Sequence, residues 1–572
     1  METQWIFAEP SSHDSARIAD ALGLHPLVAR LLVNRNITCD EARAFIHPSM
    51  DDLNSPFAFR DMQKTVERIN RAMRDQEKIL VFGDYDVDGV CSIAMLIRFF
   101  RMFHYQVDFY VPDRSSEGYG LNADAVRTVA GRGTRLLITV DCGINDRKEI
   151  ELANELGMDV IVVDHHEYQG PLPPACAVLN PKIDGCSYPY RELAAVGVTF
   201  KLVEALTQRI SRGMKTTPEF VAFLSEALGM VALGSVADVV PLRAENRAFV
   251  CLGMKALAQS RLPGLCELFN VCSIDPADLK TWHIAYHLAP RINAAGRIAD
   301  AGISVRLLTT DSTDEARELA RALDRENRNR QKVEGEIYRS AVEKLRNVSA
   351  GEQPKVIVLS DESWHPGVIG IVASRLVEEF HCPAVLIALN GDAGRGSARS
   401  IPAYHIYDAF AACEEKLLSY GGHSAAAGLE ILKDEIESFH LLLLQDAERK
   451  LTADDLKPKL HIDAKVSLDD LSFQLMEEIA LLAPYGRGNP EPLFAVENVT
   501  TAGCPQLIGS TGKHLSFRVQ SGDTVIRAVA FNFAHILESI SEHGTPVSLV
   551  FRPRISSYSG RVELNVKDIR TP

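Results

Sequence analysis

The sequence has no Cys-x-x-Cys pair, although it contains 11 cysteines in 572 residues. An odd number of scattered cysteines argues against a disulfide framework, and the missing pair argues against a zinc ribbon. The N-terminus lacks the basic and apolar regions of a secretory signal. No apolar run reaches the roughly 18 residues that a membrane span needs. We therefore expect reduced thiols in a cytoplasmic protein that does not contact a membrane.

An excess of positive charge is also missing, since 61 lysines and arginines face 76 acidic residues and the net charge is −15. A strongly basic balance would indicate nucleic-acid binding. The total nevertheless says nothing about local distribution, because a carboxylate cluster that holds metal ions becomes rich in positive charge. The charge balance lowers the expectation of a nucleic-acid partner without excluding it.

The length of 572 residues predicts three or four domains. From Lys78, apolar strands alternate with helices of about ten residues, which is typical of a parallel doubly wound sheet. A second α/β unit begins at Val356, and the short alternating strands after Lys459 indicate a small β-barrel such as an OB-fold. The predicted parts are an N-terminal helical segment (1–50), a catalytic α/β domain (51–310), a connector helix (311–350), a smaller α/β domain (351–455) and the barrel (456–572).

The connector is predicted as one long charged helix from Thr309 to Val348. Between Leu323 and Val333 every residue is polar, and we expect this stretch to be too polar to bury. A helix that is polar all round in its middle often bridges two domains.

Acids and histidines follow three of the predicted strands. Strand 79–82 leads to Asp84, Asp86 and Asp88, strand 136–140 to Asp141, and strand 160–163 to Asp164, His165 and His166. In parallel α/β sheets the active crevice lies outside the carboxyl ends of the strands, so this edge is the predicted active site. Asp238, the single charge in a later apolar helical run, is a further candidate.

This mixture of oxygen and nitrogen ligands suits Mn²⁺ or Mg²⁺. The alternative of an EF-hand fails, because the twelfth position counted from Asp84 is Met95 rather than Glu. Any one of these acids taken alone could be an ordinary helix N-cap. Several on one sheet edge favour two divalent ions that activate water and orient a phosphate.

Two arginine-bearing segments are rich in small residues, at 291–297 (RINAAGR) and 394–399 (GRGSAR). Small residues let the backbone approach a ligand, and the arginine fork fits phosphate. Each segment alone is a weak signal, since such sequences are common in solvated loops. The carboxylate cluster makes a phosphate ligand the favoured interpretation.

Together, 84–89 (DYDVDG), 141–143 (DCG), 164–166 (DHH) and 235–238 (SVAD) resemble the four motifs of the DHH phosphoesterase superfamily. Segments 293–297 (NAAGR), 396–399 (GSAR) and 421–423 (GGH) resemble its companion DHHA1 region. The match runs from Lys78 nearly to the C-terminus. With the barrel and this length, the chain is similar to the single-strand-specific DNA exonucleases of the superfamily.

The resemblance implies a single-stranded-DNA exonuclease of recombination and repair, which degrades 5′→3′ to 5′-mononucleotides. It implies two Mn²⁺ or Mg²⁺ ions on Asp86, Asp88, Asp141, His165 and Asp238, with Asp84 as a further ligand or neighbour. Asp164 would orient His165, and His166 would touch the scissile phosphate or help proton transfer. The implied contacts to the 5′-phosphate or DNA are Arg114, Asn293, Arg297, Ser397, Arg399 and His423.

Weaker candidates for contacts to the trailing strand are Arg552, Arg554 and Arg561 in the barrel. A single-strand binding protein and a RecQ-type helicase are implied as partners by the resemblance alone, and we expect a monomer. Two other functions stay open. A DHH phosphodiesterase of short oligoribonucleotides or cyclic dinucleotides would be smaller and lack the barrel, whereas an inactive binding scaffold would have lost metal ligands that are all present here.

Overall fold

The computed structural model describes residues 3–113, 117–210, 217–298, 300–349, 354–556 and 559–571. Its helices are α1 (Ser12–Leu22), α2 (Pro26–Asn34), α3 (Cys39–Ile46), α4 (Met62–Arg74), α5 (Val87–Arg101), α6 (Ala123–Gly131), α7 (Arg147–Glu155), α8 (Ala195–Ile210), α9 (Pro218–Ala237), α10 (Ala244–Ala258), α11 (Pro263–Cys272), α12 (Thr281–His283), α13 (Ala289–Ile298), α14 (Gly302–Thr309), α15 (Thr313–Ser349), α16 (Ile369–Phe380), α17 (Ile406–Ala411), α18 (Ile436–Lys450) and α19 (Phe473–Ala480).

Its strands are β1 (Gln4–Phe7), β2 (Ile79–Gly83), β3 (Asp108–Tyr110), β4 (Leu136–Val140), β5 (Asp159–Val163), β6 (Ala177–Leu179), β7 (Ile357–Asp361), β8 (Ala384–Asn390), β9 (Ala393–Arg399), β10 (Ser419–Gly422), β11 (Ala426–Leu432), β12 (Lys459–Ile462), β13 (Ala464–Lys465), β14 (Phe494–Thr501), β15 (Gln506–Ile508), β16 (His514–Ser521), β17 (Thr524–Ala530), β18 (Pro546–Ile555) and β19 (Val562–Arg570). The described residues form two compact units. One unit contains Met1–Leu53, Pro241–Ala248 and Pro458–Pro572, and the other contains Asn54–Val240 and Phe249–Lys457. We call them the terminal unit and the central unit.

The central unit contains the predicted parallel sheet, with strand order β3-β2-β4-β5-β6. The register pairs Gly83 with Val140 and Val140 with Val163, so β2, β4 and β5 end level with one another. β2 and β4 are buried along their whole length, as expected for apolar strands that are covered on both faces. The α/β fold class predicted from the sequence is confirmed, and its acidic segments start at one sheet edge.

Helix α9 bears on the expectation that the chain has no membrane span. By length and composition alone this 20-residue helix could cross a membrane, because Glu219 and Glu226 are its only charged residues. In the structure 61% of its most apolar 18-residue window is buried inside the protein. Its hydrophobicity is that of a helix packed in a core, where it contacts α5 and α8.

A second sheet of the central unit has the order β10-β11-β9-β8-β7, in which only the pair β7–β8 is parallel. The long helix α15 reaches it, since Ile337, Ala341 and Leu345 belong to the same buried core as β7 and β8. The amino-terminal part of α15 packs on α11, α13 and α14. The predicted connecting helix is therefore present.

One expectation about this helix is wrong. Asp324, Asn327 and Arg330, in the stretch predicted to be too polar to bury, are 8%, 2% and 8% exposed. Arg330 donates to Asn327 (2.5 Å) and to Glu334 (2.6 Å), and Asp324 pairs with an arginine of α13. Polar side chains at i, i+3 and i+6 share a helix face, and this face is buried because its members satisfy one another.

The terminal unit is built on a seven-stranded sheet, ordered β13-β14-β18-β19-β17-β16-β15. The additional pairing of β14 with β16 curls the sheet into the predicted barrel. Residues 3–53 belong to the same unit, because β1 pairs with β12 and the apolar faces of α1, α2 and α3 share a core with the barrel strands.

A buried arginine fastens a segment from the middle of the sequence into this unit. Arg247 is 1% exposed, and its guanidinium lies 3.7 Å above the centre of the Phe45 ring. It donates to the carbonyl of Phe45 and to the carbonyls of residues 481–484, which directly follow α19. Carbonyls at a helix end lack intrahelical donors, so one side chain satisfies several buried acceptors at once.

We predict that Arg247→Met lowers the free energy of unfolding by at least about 3 kcal/mol, because it leaves several buried carbonyls without donors. Urea denaturation followed by circular dichroism measures this loss. Arg243→Met is the matched control, since among the described residues the Arg243 side chain donates one bond, to the carbonyl of Gly488 (3.0 Å). The control should lose no more than about 1.5 kcal/mol. Equal losses in the two variants would contradict the anchoring role.

Candidate metal centre and phosphate pocket

The backbone extends each of three strands by one residue at the predicted edge. The amide of Asp84 donates to Val140 (3.4 Å), that of Asp141 to Val163 (2.9 Å) and that of Asp164 to Leu179 (2.9 Å). The three acids therefore leave the sheet side by side. Asp141 does so with φ +61°, in the left-handed region that few non-glycine residues adopt.

Asp86 and Asp88 lie at the amino terminus of α5. The Asp86 carboxylate caps the helix by accepting from the amides of Asp88 (2.9 Å) and Gly89 (3.2 Å). Asp88 accepts from the first amides of α8, those of Ala195 (2.8 Å) and Val196 (2.7 Å). Helix amino termini carry partial positive charge, so both contacts stabilise ionised carboxylates. The turn between Asp84 and α5 needs glycine, because a Cβ on Gly89 would lie 2.4 Å from the Asp84 carbonyl.

His165 lies among the carboxylates of three separate segments. Its Nε2 is 3.4 Å from Asp141 Oδ1, 3.7 Å from Asp238 Oδ2 and 3.8 Å from Asp88 Oδ2. Asp238 follows the last residue of α9. The next residue, Val239, has φ +58°, which is strained for a β-branched side chain and is the kind of strain found at functional sites.

The structure brings the sequence-predicted metal ligands together. Within the described residues, three groups have candidate ligand atoms within 4.8 Å of one another: Asp84, Asp86 and Asp141; Asp88, His165 and Asp238; and Asp141, His165 and His166. The groups share Asp141 and His165. Two neighbouring cation sites with shared ligands are compatible with this arrangement.

The electrostatics of this cluster fit cations. Asp141 Oδ1 and His165 Nε2 are buried, and neither makes a hydrogen bond within the described chain. Burial, and then the neighbouring carboxylate of Asp88, raise the pKa of Asp141 well above its usual range. Burial, and then the charge of Asp238, raise the pKa of Asp88 to about 7. Burial lowers the pKa of His165, which keeps a neutral imidazole available as a ligand.

Asp164 organises the DHH triplet. This fully buried carboxylate accepts from the amides of Ile144 (3.0 Å), His165 (2.7 Å) and His166 (3.1 Å), and from His166 Nδ1 (2.8 Å). Burial favours a raised pKa for Asp164, but the His166 contacts outweigh it and hold the pKa below its usual range. Burial likewise lowers the pKa of His166, and the bond to Asp164 overcomes this and raises it to about 9.

This geometry differs from the expectation that Asp164 orients the His165 ring. The carboxylate binds the ring of His166, and it reaches His165 only through the main-chain amide. The sequence could not distinguish the two histidines, because the choice depends on side-chain rotamers.

Tyr119 is a residue of this site that the sequence analysis missed. Its hydroxyl donates to the carbonyl of Asp141 (2.9 Å) and lies 3.2 Å from His166 Nδ1, while 52% of the residue stays exposed. The signal was its flanking glycines, Gly118 and Gly120, which both have positive φ and place this tyrosine on a tight loop.

Three residues of the predicted phosphate pocket lie around the start of α16. Arg297 Nη1 donates to the carbonyl of Gly367 (3.2 Å), just before that helix. Arg399 Nη1 donates to Ser397 Oγ (3.2 Å) on β9. A Cβ on Gly370 would lie 2.8 Å from Ser397 Oγ and 3.3 Å from Arg399 Nη2. A bare backbone at a helix amino terminus, next to arginine and serine, has the make-up of a phosphate site.

The positions of the other predicted pocket residues follow from their strands and helices rather than from a contact with the pocket. His423 is exposed in the turn between β10 and β11, and the pairing of Ala426 with Arg399 puts this turn at the Arg399 end of β9. Asn293 lies on α13, and its buried Oδ1 has no hydrogen-bond partner in the described chain. Arg114 lies outside the described residues.

Two of the three barrel arginines form ion pairs with glutamates. Arg552 pairs with Glu491 (2.9 Å), and Arg554 pairs with the buried carboxylate of Glu563 (2.5 Å). Arg561 is exposed in the turn before β19. An arginine that pairs with a surface carboxylate can still exchange that partner for a phosphate, because such pairs are weak.

Comparison with known proteins matches three family models along the chain. Residues 78–234 match the DHH family, N-terminal domain; residues 353–448 match the DHHA1 domain; and residues 462–568 match the RecJ OB domain. These segments cover the first sheet, the second sheet and the barrel described above.

Two relatives that match nearly all of this chain carry the same description. The chain is 35% identical to the single-stranded-DNA-specific exonuclease RecJ of Bacillus subtilis, over 99% of this chain and 70% of that protein. It is 33% identical to the Escherichia coli protein, over 95% of both chains. The crystal structure of Thermus thermophilus RecJ in complex with Mn²⁺ superposes with a TM-score of 0.83 at 29% identity, covering all of this chain and 80% of that one. The complex with Mg²⁺ gives a TM-score of 0.77 at 28% identity, covering all of this chain and 79% of that one. The chain belongs to the RecJ family of single-stranded-DNA-specific exonucleases.

Proposed function

We propose that this protein is a single-stranded-DNA-specific exonuclease that releases 5′-mononucleotides in the 5′→3′ direction and acts in DNA recombination and repair. One observation carries the proposal: three groups of ligand atoms, linked to one another through Asp141 and His165, lie at one sheet edge in a chain of the RecJ family. The reaction is hydrolysis of a phosphodiester bond.

Mn²⁺ or Mg²⁺ is the cofactor that these ligands fit, and the related Thermus structures hold those two ions. We assign two ions to Asp84, Asp86, Asp88, Asp141, His165 and Asp238. When bound, they would supply Lewis-acid chemistry that activates water and neutralises charge on the phosphate.

His166 can donate a proton next to these ligands, and Asp164 fixes its position. Because the pKa of His166 is raised to about 9 in the metal-free protein, its imidazole is protonated there at neutral pH. A protonated imidazole can donate to a phosphate oxygen or return a proton to the leaving oxygen. The Asp164 carboxylate holds the ring in place through Nδ1 (2.8 Å).

The phosphate pocket supports the polarity of degradation. The terminal 5′-phosphate would be bound by Arg297, Ser397 and Arg399. A pocket that binds one chain end directs cleavage to the nucleotides at that end. Asn293, His423 and Arg114 are assigned to the same cleft. In the barrel, Arg552, Arg554 and Arg561 would hold the trailing strand by charge.

Cellular context is inferred from simpler features. No disulfide joins the cysteines within the described residues, which supports a cytoplasmic location. We also propose a monomer, and the motif resemblance implies a single-strand binding protein and a RecQ-type helicase as partners. The boundaries proposed between the two α/β domains and the connector stay as predicted from the sequence.

We predict that Asp141→Asn makes the metal-free protein more stable and removes its response to Mn²⁺. The substitution relieves repulsion among buried carboxylates and deletes a shared ligand. Thermal unfolding in EDTA should shift upward by about 1–2 °C, the shift expected from ~1 kcal/mol in a unit of this size. Added Mn²⁺ should raise the midpoint of the wild type but not of the variant.

The control is Asp108→Asn, which alters an exposed carboxylate paired with Lys78 (2.9 Å). Its metal-free midpoint should stay near that of the wild type, and its Mn²⁺ response should be intact. A destabilised Asp141→Asn protein that still responds to Mn²⁺ would contradict the assigned cluster.

The activity itself is tested with single-stranded DNA labelled in turn at each end. We expect labelled mononucleotides to appear first from the 5′ end with Mn²⁺, and no products with EDTA or with Asp141→Asn. Asp164→Asn should slow cleavage by about 10–100-fold, because it weakens the support of the ligand-bearing segment. No cleavage by the metal-loaded wild type, or release from the 3′ end first, would refute the proposal.

A further inference from the structure

A largely buried ion pair joins α13 to the long helix α15. Both Nε and Nη2 of Arg291 lie 3.0 Å from Asp324 Oδ1, and Nη1 donates to the carbonyl of His287 (2.8 Å). The two side chains are 14% and 11% exposed. A buried ion pair adds little net stability, because removing both charges from water costs about as much as their attraction returns. Its presence therefore calls for a role other than stabilisation.

The carboxyl-terminal end of α13 lies between two parts of the proposed active site. Gly296 contacts the metal-ligand segment so closely that a Cβ would lie 2.8 Å from the carbonyl of Tyr85. Arg297 binds the carbonyl of Gly367, at the start of the phosphate pocket. Gly296 and Arg297 follow Arg291 by about 7.5 Å and about 9 Å along the helix axis.

We propose that Arg291 and Asp324 are a positioning pair that sets the enzyme's preference for a 5′-phosphorylated end. By fixing α13 against α15, the pair holds Arg297 at the pocket while Gly296 stays against Tyr85. A guanidinium fork fixes direction as well as distance, which a point charge does not. The inference rests on the proposed function and adds residues that do not touch the substrate.

The test compares two single-stranded oligomers of one sequence, one with a 5′-phosphate and one with a 5′-hydroxyl. In Asp324→Asn and in Arg291→Lys, the ratio of kcat/KM for the two substrates should fall by roughly 10- to 100-fold, the effect of misplacing a binding group by about 1 Å. The rate on the hydroxyl substrate should fall less than the rate on the phosphate substrate. Loss of stability alone would lower both rates together and leave the ratio unchanged.

Glu77→Gln is the matched control. It breaks another half-buried pair of the central unit, Arg68–Glu77 (2.6 Å), just before β2 at the sheet edge opposite the metal cluster. This variant should lose stability and keep the wild-type ratio.

The outcomes separate this inference from the proposed function. An unchanged ratio in both test variants, or an equal fall in the control, overturns the positioning role. A wild type that cleaves both oligomers equally also overturns it, while leaving exonuclease activity established. A wild type that cleaves neither oligomer refutes the proposed function itself.

Discussion

The central unit is organised by the need to hold several carboxylates close together and away from water. Backbone amides at helix starts offset part of the repulsion: α5 supplies two to Asp86, and α8 supplies two to Asp88. Helix α9 points the other way, with its carboxyl terminus at Asp238. The partial negative charge at that end favours a cation. The amino termini of α5 and α8 therefore offset part of the carboxylate charge, and the remaining negative charge favours bound metal ions.

Much of this could be read from the sequence, because strand ends in a parallel sheet converge by geometry. Once the strands before Asp84, Asp141 and Asp164 are recognised, their level endings follow from the register. The sequence does not predict that the Asp164 carboxylate binds the His166 ring rather than the His165 ring, since both histidines directly follow Asp164. Tyr119 was missed because its loop carries no apolar pattern.

The buried middle of α15 was mispredicted for a related reason. Hydrophobic periodicity detects faces that pack through apolar contacts, and a face buried through Arg291–Asp324 and Arg330–Asn327 leaves no such pattern. Hydrophobic periodicity also fails to detect the burial of Arg247, whose partners lie more than two hundred positions away in the sequence. Buried arginine has to be found from its acceptors, and these are known only once the fold is known.

The composition of the terminal unit has a consequence for the order in which the chain folds during synthesis. Residues 3–53 share a core with strands that begin roughly 400 residues later. At about 5–20 residues per second, the apolar faces of α1, α2 and α3 wait ~20–80 s for their partners to leave the ribosome. During that interval they expose apolar surface that can associate with other chains. The first helices to be made are therefore among the last to be buried.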